Sequence, residues 1–193
     1  MEDSRRRGRR VLLLLAAMFL VPVFVAFALY YGNIWRPSGS SSKGELITPA
    51  RPLNAAGLRL PDGSAAGGEV LQGKWSIVYL GDGACDADCR GTLVYARQSR
   101  LSLNNEMTRV QIVMLATANC CADLSQHVPG IRVLDASSAD AAPLLAQFPA
   151  ERRSQSLYIV DPLGNLMMRH PAAQTSKDLL TDLKKLLKLS HIG

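Results

Sequence analysis

The sequence predicts an α/β protein: a mixed β-sheet flanked by helices, preceded by one N-terminal transmembrane helix. Three observations carry this. From residue 75 onward, apolar runs of strand length alternate with segments of helical period. Residues 11–31 form an uncharged apolar stretch. Two thiols, Cys85 and Cys89, stand where an apolar run passes through a Gly-rich turn into a helical pattern.

The first segment, residues 1–10, is a basic tail holding Arg5, Arg6, Arg7, Arg9 and Arg10. Residues 11–31 follow as a membrane anchor. At about 1.5 Å per residue, 21 residues cover the ~30 Å hydrocarbon core of a bilayer. The run is longer than the apolar centre of a cleaved signal, and it ends in Tyr30 and Tyr31, residues that favour the membrane interface. Pro22 falls mid-span, which a membrane helix tolerates. With five arginines before the span, the positive-inside rule keeps the N-terminus in the cytoplasm and exports the rest. Residues 32–46 read as a flexible Ser/Gly-rich linker and 47–193 as the folded domain.

The net charge of +6 is in part this topology signal. Residues 32–193 hold 17 basic against 14 acidic side chains, a net of +3, with no clustered basic face that would bind nucleic acid. Four cysteines in an exported domain lie in a disulfide-permissive compartment, yet a domain this size buries a core without staples. Their role is therefore expected to be chemical.

Within the domain, Leu58–Gly63 reads as a strand end and turn. Strands are expected at 75–80, 110–116, 131–134, 156–160 and 165–169, and helices near 86–102, 138–147 and 175–189. A further helix is expected between the second and third strands. The last helix carries Leu179, Leu180, Leu183, Leu186 and Leu187 at helical steps. Asp161-Pro-Leu-Gly-Asn165 is a turn, so the last two strands form a hairpin.

If the first helix starts near Cys85, then Cys85 and Cys89 share one face one turn apart, with Cα atoms about 6 Å apart, within reach of a disulfide. A helix N-terminus favours thiolate, which is both nucleophile and soft-metal ligand. The pair fits a reversible redox couple, a static disulfide or a Cu(I) site. Asp82, Asp86 and Asp88 oppose thiolate formation and Arg90 favours it. Cys120 and Cys121 follow the second strand, at the same sheet edge as Cys85 if that strand is parallel. Small residues packed at the sheet end are the default reading; a vicinal disulfide, which closes only as a strained ring, a resolving thiol role, and four thiols around one soft metal are the others they allow. Of the histidines, His170 ends the last strand and is the candidate copper ligand; His127 and His191 are weaker candidates.

A reactive Cys pair at the strand-to-helix turn, with a closing β-β-α, resembles the thioredoxin-like superfamily. Gly73–Gly81, Cys85-x-x-x-Cys89 and Tyr158-Ile-Val-Asp-Pro-Leu-Gly164 resemble the Sco/SenC family of membrane-anchored cytochrome c oxidase assembly proteins, over residues 47–189. That resemblance implies a thioredoxin-like fold, Cu(I) as a candidate cofactor held by Cys85, Cys89 and a histidine, and a respiratory oxidase subunit or another exported thiol protein as partner. It implies a single-pass protein of the cell inner membrane with a periplasmic C-terminal domain. Two departures stand out. Arg90 replaces the proline that usually follows the second cysteine, and Arg153 occupies the place of the copper-ligand histidine. The missing histidine ranks a thiol–disulfide redox chaperone, with Cys85 and Cys89 as the catalytic pair, above a Cu(I) metallochaperone or a non-catalytic docking subunit.

Overall fold

The computed structural model describes residues 2–32, 42–121, 129–172, 176–190 and 192. They form two units, Met1–Ser41 and Ser42–Gly193.

The first unit is one helix, α1 (Glu2–Tyr31), with Pro22 inside it. The segment Arg6–Tyr31 is long and apolar enough to cross a membrane. Its large apolar side chains, Leu12, Phe19 and Phe24 among them, are exposed, as lipid-facing groups are. Phe27 stacks on Tyr31 and Tyr30 meets Tyr31 edge-on, which gathers the aromatic rings at one end. The helix also takes in the basic tail.

The second unit is built on a six-stranded sheet in the order β1-β6-β5-β2-β3-β4. The strands are β1 (Glu45–Pro52), β2 (Trp75–Asp82), β3 (Val110–Ala118), β4 (Ile131–Asp135), β5 (Ser156–Val160) and β6 (Asn165–Pro171). β2, β3 and β4 run parallel, while β5 and β1 pair antiparallel with their neighbours. β2 lies at the centre and is buried from Trp75 to Gly81, so its sequence is a continuous apolar run rather than an alternation.

Alternate side chains feed two cores. On one face Ile77, Tyr79, Ile112, Met114, Leu157 and Met168 meet α2 (Ala87–Leu101) and α4 (Ser176–Leu189), through Leu93 and Ala96 of α2 and Leu179, Leu183 and Leu187 of α4. On the other, Val78, Leu80, Val113 and Tyr158 pack against Leu58, Leu71 and the short helix α3 (Ala142–Leu145). Phe148 closes that face with its ring edge-on to Tyr158, centroids 5.0 Å apart.

The β5–β6 hairpin is present. Asp161 accepts from Leu163 N and Asn165 N, and Gly164 takes the left-handed φ of 88° that closes the turn. Three expectations change. β1 starts at Glu45, so residues 45–46 of the expected linker belong to the sheet. The expected helix 138–147 is a 3₁₀ turn, Ala139–Ala141, leading into the four-residue α3. Leu58–Gly63 contributes only isolated bridges from Arg59 to Ala65 and Asp135. The helix expected between β3 and β4 falls where residues 122–128 lie outside the described residues.

Between β6 and α4 lies a buried polar knot. Asp182 and His170 are at most 1% exposed. Asp182 Oδ2 accepts from Lys43 N and Gly44 N, both at 2.8 Å, and faces His170 Nε2 at 3.3 Å. Residue 44 must be small: a Cβ there would stand 2.5 Å from His170 Nε2.

Candidate thiol redox site

β2 ends at Asp82, whose carbonyl accepts from Cys85 N at 3.0 Å and whose carboxylate accepts from Ala84 N at 2.8 Å. These bonds fold residues 82–85 into a tight turn, and Cys85 takes a left-handed φ of 41°. Asp86 is the N-cap of α2, its carboxylate accepting from Cys89 N at 2.8 Å. Cys85 therefore lies one residue ahead of the N-cap and Cys89 in the first turn of the helix. The expected helical spacing is corrected here: the two Cα atoms are 5.2 Å apart, drawn together by the turn rather than by helix geometry, and the pair is joined as a disulfide. Both cysteines are buried, at 2% and 5% exposure. Arg90 turns back to donate to the Cys85 carbonyl at 2.7 Å, so it braces the turn in which the disulfide sits.

The surrounding charge is negative. Asp82, Asp86 and Asp88 are exposed around the turn. Burial raises the Tyr79 pKa, and the charges of Asp86 and Asp88 raise it further. The same carboxylates disfavour a thiolate when the disulfide opens, against the pull of the α2 N-terminus. Tyr79 donates to the Ser154 carbonyl at 2.8 Å, which fixes the 3₁₀ turn Arg153–Gln155 beside β2. A groove of about 520 Å³ separates that turn from α2, with Asp88, Thr92 and Tyr95 on one wall and Arg152 and Gln155 on the other. Burial, with the charge of Asp178 in second place, pushes the Tyr95 hydroxyl up to about 12.

Cys120 and Cys121 follow β3, half-buried and joined to each other. Asn119 ties this loop to the first one by donating from Nδ2 to both oxygens of Asp82, at 2.8 and 3.0 Å. Gly83 N donates to the Ala118 carbonyl at 2.8 Å. A Cβ on Gly83 would collide with the Asn119 carbonyl, so glycine is required there.

His170 is placed elsewhere. Its Nε2 lies against Asp182 and 3.1 Å from Met168 Sδ. Among the described residues no three His, Cys, Asp or Glu side chains form a group able to hold a metal ion. His127 and His191 lie outside the described residues. Arg153, at the place matched to the copper-ligand histidine, donates from Nη2 to the Phe148 carbonyl at 2.9 Å. The donors at the Cys85–Cys89 turn are thus two sulfurs, and while they are joined as a disulfide they offer Cu(I) no thiolate.

Sequence reasoning missed two features. Asp182 falls at i+3 from Leu179 and beside Leu183, inside the apolar stripe of α4, and that position was the available signal. The tie between Asn119 and Asp82 left no trace in the sequence.

A fold of this order, with a cysteine pair at the carboxyl end of its central strand, defines a thioredoxin-like protein. A family model described as "Transmembrane-like, thioredoxin-like, C-terminal domain" matches residues 75–190, and one described as "Transmembrane-like, N-terminal domain" matches residues 2–33. The chain belongs to this transmembrane-like, thioredoxin-like family. Among solved structures it is similar to apo Sco1 from Thermus thermophilus, with a TM-score of 0.60, 19% identity and coverage of 77% of this chain and 99% of that one. It is also similar to copper-bound yeast Sco1 (TM-score 0.58, 19% identity, 78% of this chain and 95% of that one). Copper-bound ScoI from Arabidopsis thaliana follows (TM-score 0.55, 15% identity, 76% and 99%). These likenesses establish the fold. No curated protein matches the chain in sequence.

Proposed function

We propose that the chain is a single-pass inner-membrane protein whose periplasmic thioredoxin-like domain acts as a thiol–disulfide redox chaperone in cytochrome c oxidase assembly. The observation that carries this is the Cys85–Cys89 disulfide across the N-cap of α2, at the end of the central strand. The arginines ahead of the span support the orientation, and the likeness to Sco1 structures supports the pathway.

In the reaction, one thiolate of the reduced pair attacks a partner disulfide. A mixed disulfide forms as the partner's S–S bond breaks, and the released partner sulfur takes a proton. The second cysteine then displaces the partner, closing Cys85–Cys89. Two electrons and two protons pass to the partner. The turn from Asp82 to Asp86 holds the second sulfur within closing distance throughout.

The test is a redox titration of the full chain in glutathione buffers, with Cys120 and Cys121 both replaced by serine. Alkylation and mass mapping are expected to show Cys85–Cys89 opening and closing in one two-electron step while the domain stays folded. A pair that stays closed until the domain unfolds is a structural staple, and the proposal fails.

Copper delivery is the second reading, favoured by the fold shared with copper-bound Sco1. The donor set argues against tight binding. In equilibrium competition the wild type is expected to lose Cu(I) to a chelator, and Arg153→His is expected to strengthen retention by about tenfold or more, since it exchanges a cation for an imidazole. Tight one-to-one binding by the wild type reverses the ranking of the two readings.

A further inference from the structure

The second cysteine pair has no part in the reaction above, yet it shares one edge of the sheet with the first. We propose that Cys120–Cys121 is the accessible port through which an exported protein dithiol reduces the buried Cys85–Cys89 disulfide. This rests on the redox reading of Cys85–Cys89 and adds the route by which that pair is recharged.

Three observations lead to it. Cys85 and Cys89 are 2% and 5% exposed, so their closed S–S bond offers an incoming protein thiolate less surface than the second pair does. Cys120 and Cys121 are only partly buried. The loops that bear the two pairs leave the carboxyl ends of neighbouring parallel strands about 4.8 Å apart, with Asp82 in register with Ala118. They are tied as one unit by the Gly83 N–Ala118 O bond and by the Asn119 amide on both oxygens of Asp82. Cys85 and Asn119 each adopt a left-handed φ, 41° and 46°, uncommon for residues with a side chain, and each turns its loop at this edge.

The relay balances in two exchanges. A partner thiolate attacks the Cys120–Cys121 bond, and its second thiol closes the partner's own disulfide, leaving Cys120 and Cys121 as thiols. One of these, as thiolate, then attacks Cys85–Cys89. An inter-loop mixed disulfide forms, the leaving sulfur of the buried pair takes a proton, and the remaining vicinal thiol resolves the bond. Cys120–Cys121 is restored. Two electrons and two protons have moved from the partner dithiol to Cys85 and Cys89.

Two measurements on the detergent-solubilised full chain test it. The first uses the four double cysteine-to-serine variants that leave one thiol in each loop. Oxidised by glutathione disulfide, at least one is expected to form an intramolecular inter-loop disulfide, found by mass mapping. The second follows reduction of Cys85–Cys89 by reduced thioredoxin as the protein dithiol and by dithiothreitol as a small one. Replacing both Cys120 and Cys121 with serine is expected to slow the thioredoxin reaction by about tenfold or more and to leave the dithiothreitol reaction much less affected. Absence of any inter-loop bond, together with unchanged thioredoxin rates, overturns the relay while Cys85–Cys89 still titrates, so the redox reading survives it. Failure of Cys85–Cys89 to be reduced in the folded protein by either reagent overturns both.

Discussion

Asp182→Ala is expected to lower the stability of the Ser42–Gly193 unit by about 3–5 kcal/mol, since it removes a buried acceptor shared by three polar groups, at about 1–3 kcal/mol for each bond lost. The single oxygen Oδ2 serves Lys43 N, Gly44 N and His170 at once, and all three lose that acceptor together. The Asp182 and His170 side chains are both buried and Met168 of β6 lies against His170, so water does not readily take its place. Against a typical total of about 5–15 kcal/mol, the loss is a large fraction. Urea unfolding of the full chain, followed by the fluorescence of buried Trp75, reads it as a lower midpoint with an unchanged slope. Asp182→Asn keeps an acceptor and the shape, and is expected to cost clearly less than alanine. Equal midpoints for wild type and Asp182→Ala would show that the knot contributes nothing to stability.

The second large effect concerns chemistry. Cys85→Ser and Cys89→Ser are each expected to reduce the turnover of a disulfide-bonded reporter peptide to the uncatalysed level, since neither can complete the two-step exchange. One of the two is expected to accumulate the mixed disulfide, which identifies the attacking sulfur. Asp88→Asn acts in the opposite direction. It removes an exposed negative charge in the first turn of α2, which favours the thiolate and is expected to raise the rate at pH 7 by about two- to threefold. The gain is expected to vanish at high salt, where such charges are screened. A rate that does not respond to Asp88→Asn at low salt would show that the carboxylates do not control thiol ionisation.

The parts of the fold that could be read from the sequence are those where burial writes a pattern. β2, β3 and β5 are apolar runs because both faces are covered, and their expected limits fall within two residues of the observed ones. α4 shows its leucines at helical steps. β1 escaped because an edge strand that is nearly all exposed leaves no alternation, and because Pro49 and Pro52 read as loop. At the site, the two cysteines were visible as a pair, but their geometry was not. The turn that joins them depends on a left-handed Cys85 and on side-chain bonds from Asp82 and Asp86, which spacing alone does not reveal. His170 looked like a free ligand because its partner, Asp182, is contributed by another element.

The position of β1 has a consequence for how the chain assembles. Glu45 of β1 pairs with Arg169 of β6, 124 residues later. At about 5–20 residues per second, synthesis leaves the first strand waiting roughly 6–25 s for its partner. An unpaired strand is a template for pairing with other chains. Pro49 and Pro52 have no N–H to offer, and the exposed Arg51 adds charge. The strand that waits longest is thus poorly suited to join another molecule. Its completion depends on β6, while Lys43 and Gly44 just ahead of it are held by α4, so the sheet closes only when the last two elements of the chain are in place.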